Sequence, residues 1–266
     1  MKAIIKYNKK ASETVDRLVE VARTKFGIEL IKCDEIRSLE DCKRQHNTDK
    51  VILYGSKDDF NLSKEEQCEY FEEIIDNTLI QGEPEDYELV IVKNPTCLML
   101  GKDWKRLDTD ESCYHYISNK NEWRINYSYG KVNSVYNKNL TPTTIFGKAD
   151  ITQWTYERDM EIRKYLITTV KLMAEKLRTE YPKLEHFGID IIQDRVSGEF
   201  YFLELNKAHS LNEENCEFFL KGWIEKNNLS VVQPISRAIT PTPTTNTNLT
   251  VEERLLLRNI LARFGG

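Results

Sequence analysis

The eleven glycines of this 266-residue chain stand at 27, 55, 82, 101, 130, 147, 188, 198, 222, 265 and 266, so that, the terminal pair apart, no two lie closer than ten residues. Folds that seat a nucleotide phosphate on a glycine-rich turn need clustered glycines, because only a backbone without Cβ lets the phosphate reach the amides. The spacing therefore excludes a Walker A loop, a G-x-G-x-x-G dinucleotide turn, a kinase glycine-rich loop and a G-x-S-x-G nucleophile elbow. A nucleotide, if bound, must be gripped by other means.

Charge narrows the partners. With 38 Lys+Arg against 43 Asp+Glu the net charge is −5, so no overall positive field exists to attract nucleic acid or an anionic membrane surface. The six cysteines form no C-x-x-C pair, the four histidines stand far apart, and MKAIIKYNKK lacks the apolar core of a secretory signal. A reduced, cytoplasmic protein without structural zinc or a membrane span is expected.

Periodicity sets out the elements. KAIIKY at 2–7, SETVDRLVEVARTKF at 12–26 and IELIKC at 28–33 read as strand, helix, strand, and KVILYGS at 50–56 as another buried strand. Ser63 followed by Glu66 opens a helix at 63–77 with a capping box. YELVIVKN at 87–94 is a strand ending near Lys93, CYHYIS at 113–118 another, and EWRINYSYGKVNSVYNK at 122–138 a hairpin turning at Gly130-Lys131. A long helix at 157–181 stops at Pro182; strands HFGIDIIQD and EFYFLELN and a helix at 213–228 follow. TPTPTTNTNLT at 240–250 has linker composition, and the last segment carries Leu256, Ile260 and Phe264 on one helical face. That face must be buried against the chain's own core or against a partner or second subunit.

Within the hairpin 187–206, alternation puts Glu204 and Asn206 on one face and Tyr201, Leu203 and Leu205 on the other. A turn centred on Ser197 sets Asp190 opposite Glu204. Two facing carboxylates repel by about 3–4 kcal/mol at an effective dielectric near 20, so something positive should compensate. With an amide oxygen beside them they form a hard-oxygen set suited to Mg²⁺; a register offset by two would instead leave Asp190 at a solvated strand end. Arg124 shares a face with Glu122 and Asn126. It suits bidentate binding of phosphate or carboxylate, or else lies on a solvated sheet face.

Lys93 at a strand end, the pair YHYI and NEWRINYSYGKV, the long helix and FGIDII…FYFLELN together resemble the ATP-grasp superfamily, and within it the carboxylate–amine ligases, over roughly residues 87–220. The resemblance implies an α+β fold with an α/β N-terminal part, the nucleotide held between two antiparallel β-rich subdomains. Residues 1–56 would form a small α/β domain and 57–233 the ATP-grasp domain, with 57–118 on the lid side and 119–233 catalytic. A linker at 234–250 and a C-terminal amphipathic helix at 251–266 complete the expected chain.

The same resemblance implies that Asp190, Glu204 and Asn206 hold Mg²⁺ on the ATP phosphates. Lys93 contacts phosphate oxygens, with Lys102 and Lys138 as further phosphate candidates, and His115, Tyr116 and Ile117 form the hinge that reads adenine. Arg124 stabilises the transferring phosphate or the substrate carboxylate. The implied reaction joins a small-molecule or peptide carboxylate to an amine through an acyl phosphate. A nucleotide-binding or inactive relative serving as an interaction module, and an ATP-grasp kinase, are the rival readings. This chain departs from the pattern at the phosphate lid, where NPTCLMLGKDWKRL has one glycine, after the E-x-N, where Lys207-Ala208-His209-Ser210-Leu211 follows, and at TPTTIFGKADITQW, which leaves the amine site unassigned.

Overall fold

The computed structural model describes residues 1–55, 61–75, 89–93, 96–100, 113–117, 120–139 and 154–230. Lys102, the linker at 234–250 and the helix at 251–266 lie outside the described residues.

The chain opens with β1 (Lys2–Tyr7) and, after a 3-10 turn, α1 (Ser12–Phe26), whose Val15, Leu18, Val21 and Ala22 recur at helical spacing and are buried. Gly27 ends α1 in the left-handed conformation at φ 62°, a geometry that costs glycine nothing. Next come β2 (Glu29–Cys33), α2 (Leu39–His46) and β3 (Val51–Tyr54), and the three strands pair in parallel in the order β2-β1-β3. Helix α2 was not legible as a periodic segment, because LEDCKRQH offers only Leu39 and Cys42 as apolar positions. Its ends carry the information instead. Ser38 caps the first turn by accepting from Asp41 N, and Asn47 closes it at φ 50°.

Helix α3 (Lys64–Phe71) begins with the expected capping box, Ser63 and Glu66 satisfying each other's backbone, and is shorter than the 63–77 pattern suggested. Strands β4 (Leu89–Lys93), β5 (Thr96–Leu100) and β6 (Cys113–His115) form an antiparallel sheet ordered β5-β4-β6. Within the stretch that stands where glycines were expected, the described residues 96–100 form a strand: Leu98, Met99 and Leu100 pair with Ile91, Val90 and Leu89.

A five-stranded antiparallel sheet carries the rest. It contains β7 (Lys120–Ser128), β8 (Lys131–Asn137), β9 (Thr155–Tyr156), β10 (His186–Asp194) and β11 (Phe200–Asn206) in the order β11-β10-β7-β8-β9. Tyr129 and Gly130, both at positive φ, make the β7–β8 turn, one residue earlier than expected. Helix α4 (Met160–Glu180), capped by Asp159, lays Leu166, Val170, Met173 and Leu177 against Trp123, Ile125, Phe187, Ile189 and Phe202 on one sheet face. Helix α5 (Glu213–Lys226) turns the other way. Its Phe219, Leu220 and Trp223 join Val15, Leu18, Ile5 and Ile52 in the core under the parallel sheet.

Among the described residues no helix is long and apolar enough to cross a membrane. The architecture is mixed α+β, an N-terminal parallel α/β sheet followed by antiparallel sheets.

Candidate active site

Helix α4 covers one face of the five-stranded sheet, and the opposite face collects the chemistry. Register puts Tyr156, Tyr136, Arg124, Asp190 and Glu204 in a single row across all five strands. Directly opposed residues point to the same side of a sheet, so these five side chains share that face. The row one step away reads Ser134, Asn126, Gly188 and Asn206, and on the other side stand Lys138, Glu122 and Ile192.

Asp190 lies opposite Glu204 as expected, although the turn is centred between Val196 and Ser197, since Gln193 pairs with Phe200, and not on Ser197 itself. The register slips once between Asp190 and Ile191, which pairs Ile191 with Phe202 and leaves Leu203 as the extra residue of a bulge. Strict alternation would group Tyr201, Leu203 and Leu205. The bulge separates them, because one added residue inverts the facing of everything beyond it. Leu205 enters the helix-side core with Phe202, whereas Tyr201 and Leu203 cluster with Ile117 and Ile192.

The positive compensation expected for facing carboxylates is present. Asp190, 2 % exposed, accepts two hydrogen bonds from the Arg124 guanidinium, the Nη2 one at 2.6 Å, and a third from Lys138 Nζ at 2.9 Å. Lys138 Nζ also donates to Glu122 at 2.5 Å. Lys64, from the first turn of α3, pairs with Glu204 at 2.7 Å, and Asn206 Nδ2 donates to Glu204 Oε1 at 2.9 Å. Three carboxylates are thus matched by three cations. Burial alone would raise the Asp190 carboxyl, but the charges and hydrogen bonds of Arg124 and Lys138 outweigh it and hold the group below its ordinary range. Glu204 follows the same logic: burial raises it, Lys64 lowers it more than Asp190 raises it, and it stays ionised.

Two features keep this cluster in place. A Cβ on Gly188 would come within 2.9 Å of both Arg124 Cδ and His209 Cβ, so only glycine lets the Arg124 stem lie flat across β10. Trp154 then covers the cations, its ring centroid 5.5 Å from the Arg124 guanidinium carbon and 5.4 Å from Lys138 Nζ. Helix α3 is fixed to the edge strand beneath it, since Gln67 Oε1 accepts from Leu205 N at 2.8 Å.

Glu204, Asp190 and Asn206 supply hard oxygens from adjacent strands, and the two carboxylates already hold ammonium groups, so the donor chemistry fits Mg²⁺. Among the described residues no group of three His, Cys, Asp or Glu side chains is arranged to hold a metal. Asn206 and oxygens brought by a substrate would have to complete the coordination. On the same face, buried Asn126 donates to Ser134 Oγ while its Oδ1 has no partner. Beyond Glu122, Tyr116 and Ile117 are buried, Ile117 against Ile192 and Tyr201, and the His115 ring meets Tyr201 edge-on at 6.0 Å. An apolar wall therefore stands beside the 115–117 backbone.

The predicted residues thus divide. Arg124, Lys138, Asp190, Glu204 and Asn206 come together; His115 and Ile117 meet an apolar patch at the other end of the sheet face, while Tyr116 lies under the Lys120 ammonium; Lys93 ends β4 opposite Thr96. Glu122, Lys64, Gly188, His209 and Trp154 were not assigned from sequence. For Glu122 a signal existed, its alternation with Arg124, but Lys64 and Trp154 arrive from elements whose packing no local pattern reveals.

No protein-family model matches the sequence, and no curated protein matches it. Solved structures do match it in three dimensions. The ATP-grasp ligase PsnB bound to a minimal precursor superposes with a TM-score of 0.56 at 14% identity, over 85% of this chain and 100% of that one. The D-cycloserine synthetase DcsG gives a TM-score of 0.57 at 12% identity, over 84% of this chain and 99% of that one. D-alanine–D-alanine ligase from Bacillus anthracis, complexed with ATP, gives 0.55 at 13% identity, over 85% and 96%.

Proposed function

We propose, from the ATP-grasp fold that this chain has, that it binds ATP on the polar face of the five-stranded sheet and uses it to join a carboxylate to an amine. A fold hosts many activities, so the reading must rest on the site. The observation that carries it is the row Arg124, Asp190, Glu204 with Asn206 beside it, in which the buried ions Arg124 and Asp190 and the half-buried Glu204 carboxylate are gathered on one sheet face. Structures of ATP-grasp ligases complexed with ATP, and of PsnB with Mg and ADP, support the choice of ligand.

In this reading Asp190, Glu204 and Asn206 hold Mg²⁺, which when bound neutralises phosphate charge. Lys64 and Lys138 release the carboxylates and turn to phosphate oxygens, joined by Lys93. The backbone of 115–117 and the wall of Ile117, Ile192 and Tyr201 receive the adenine. A substrate carboxylate oxygen attacks the γ-phosphorus, and ADP leaves with the electron pair of the broken P–O bond. The amine then attacks the acyl carbon, inorganic phosphate leaves with the C–O pair, and the nitrogen gives up a proton. Arg124, fixed by Gly188 and Trp154, faces the negative charge that builds up in both steps, so catalysis is positioning and charge stabilisation without a protein nucleophile.

Titration calorimetry with ATP and MgCl₂ tests the first half. Binding is expected, weakened about tenfold or more by Glu204→Gln in the presence of Mg²⁺; no heat and no thermal shift would sink the reading. ADP release screened against carboxylates and amines, with mass spectrometry for the amide, tests the second half. A rival draws on the same cluster: three carboxylates already neutralised by Arg124, Lys138 and Lys64 suit a nucleotide-free interaction module, which the calorimetry excludes if ATP binds.

A further inference from the structure

Alternate residues of the N-terminal parallel sheet face opposite ways. Ala3, Ile5, Leu30 and Ile52 enter the core under α1 and α5, whereas Ile4, Ile31, Cys33 and Val51 meet Leu39 and Cys42 of α2. This second core is small, because the eight-residue α2 contributes only those two apolar side chains. At its centre Cys33 and Cys42, 0 % and 3 % exposed, bring their sulfurs to 3.0 Å from one another. A disulfide holds its sulfurs at about 2.05 Å, so the two need approach by only about 1 Å to bond.

Two thiols in contact can bind a metal together or be oxidised together. Among the described residues no third His, Cys, Asp or Glu side chain is arranged with them to hold a metal ion, and His46, one helical turn beyond Cys42, does not complete such a set. Oxidation is the chemistry left to them. The exposed turn that follows β2 seals the sulfurs from solvent: Lys6 Nζ donates to the Asp34 and Arg37 carbonyls, each at 2.5 Å, and Cys33 Sγ lies 3.9 Å from both oxygens. Burial and the hydrogen bond from Cys42 push the Cys33 thiol up to about 11, against the pull of Lys6. The closed pair is thus protonated and inert. Reaction requires α2 to lift, a local opening that costs less than unfolding the chain.

We infer that Cys33 and Cys42 are a redox-modification site, at which a peroxide converts the dithiol to a disulfide that fastens α2 to β2. One sulfur, as thiolate, attacks a peroxide oxygen; the O–O bond breaks, hydroxide leaves with its electron pair, and a sulfenic acid remains. The second sulfur, as thiolate, attacks the sulfenic sulfur, and the S–O bond breaks to release a second hydroxide. The two thiol protons turn both hydroxides into water, so the sulfurs lose two electrons and the peroxide gains them. None of this depends on ATP or on the ligase reading above.

Trypsin cuts after Lys32, Arg37 and Lys43, which puts the two cysteines on separate peptides, CDEIR and SLEDCK. The reduced full chain is treated with hydrogen peroxide under native conditions, alkylated with N-ethylmaleimide and digested without reductant. Mass spectrometry should find the two peptides joined, two hydrogens lighter than their sum, and parted again by dithiothreitol. In thermal melts oxidation should raise Tm by about 4 °C or more, reversed by dithiothreitol and absent in Cys33→Ala and Cys42→Ala. Each variant is compared with its own reduced form; should either fail to fold, the peptide map and melts of the unsubstituted chain still decide. The inference is overturned if both peptides carry N-ethylmaleimide after peroxide, if the cysteines oxidise singly to sulfinic acid, if the link forms only in urea, or if Tm does not rise.

Discussion

The two faces of the five-stranded sheet are built from alternate residues of the same strands, yet they obey different physics. On the α4 side Trp123, Ile125, Phe187, Ile189 and Phe202 are fully buried against apolar neighbours, and removal of that surface from water drives folding. On the other side Glu122, Arg124, Lys138 and Asp190 are also buried, but as ions. Desolvating an ion pair costs about what its attraction returns, so such a cluster adds little net stability. One face explains why the chain folds; the other adds little to folding and is the face proposed to bind ATP.

The comparison can be broken at its strongest points first. Phe187→Ala should cost about 3–5 kcal/mol in urea-denaturation measurements, through lost burial and the cavity left under α4. Asp190→Asn should cost nearly as much, about 3–5 kcal/mol, because Arg124 and Lys138 would lose a buried counterion. The two faces separate in the paired replacement. Asp190→Leu with Arg124→Met, which leaves the Lys138–Glu122 pair intact, should recover most of that loss while abolishing Mg²⁺-dependent ATP binding. If the double variant stayed as unstable as Asp190→Asn, the cluster would be a net structural asset and the contrast would fail.

Acid should sharpen the difference. His186 sits on the polar face where β3 and Tyr54 cover it, its Nε2–H donating to the Leu53 carbonyl and its Nδ1 unpartnered. Burial pushes its pKa from 6.5 down to about 4, against a smaller opposing effect of the Leu53 bond. Between those values the unfolded chain binds the extra proton, so stability present above pH 6.5 is lost as pH falls toward 4, by about 3 kcal/mol in total. Asp190 and Glu204, held below 3.8 and 4.5, extend the loss to lower pH. In His186→Phe the slope of stability between pH 6.5 and 4 should flatten; an unchanged slope would refute the assignment.

The smallest effect belongs to Lys64. Its pair with Glu204 is more than a quarter exposed on each side, so Lys64→Ala should change stability by no more than about 1 kcal/mol. Removing that cation should leave Glu204 freer and tighten binding of Mg²⁺ alone in calorimetry. Binding of ATP with Mg²⁺ should weaken for want of a phosphate contact; unchanged affinity for ATP with Mg²⁺ would remove Lys64 from the phosphate site.

Much of this was legible beforehand for local reasons. The capping box at Ser63 and Glu66, the stop of α4 at Pro182 and the pairing of β10 with β11 across a tight turn near Ser197 each depend on residues near one another in sequence, whose spacing sets hydrogen bonds and strand pairing; the exact facing of Asp190 and Glu204 needed the bulge as well. Helix α2 escaped because its fold-determining signals are caps rather than an apolar stripe. The bulge at Leu203 escaped because parity beyond it depends on which residue the partner strand accepts.

The scattered glycines by themselves determined that any phosphate would be met by charged side chains rather than by a loop of bare amides, and the alternating strands determined which side chains would share a face. Only the tertiary structure decided that Lys64, Lys138 and Trp154 close over Asp190 and Glu204, and that α2 seats Cys42 against Cys33. Local pattern encodes the facing of a residue along its own strand or helix, whereas the partner it meets is set by how distant apolar surfaces exclude water together.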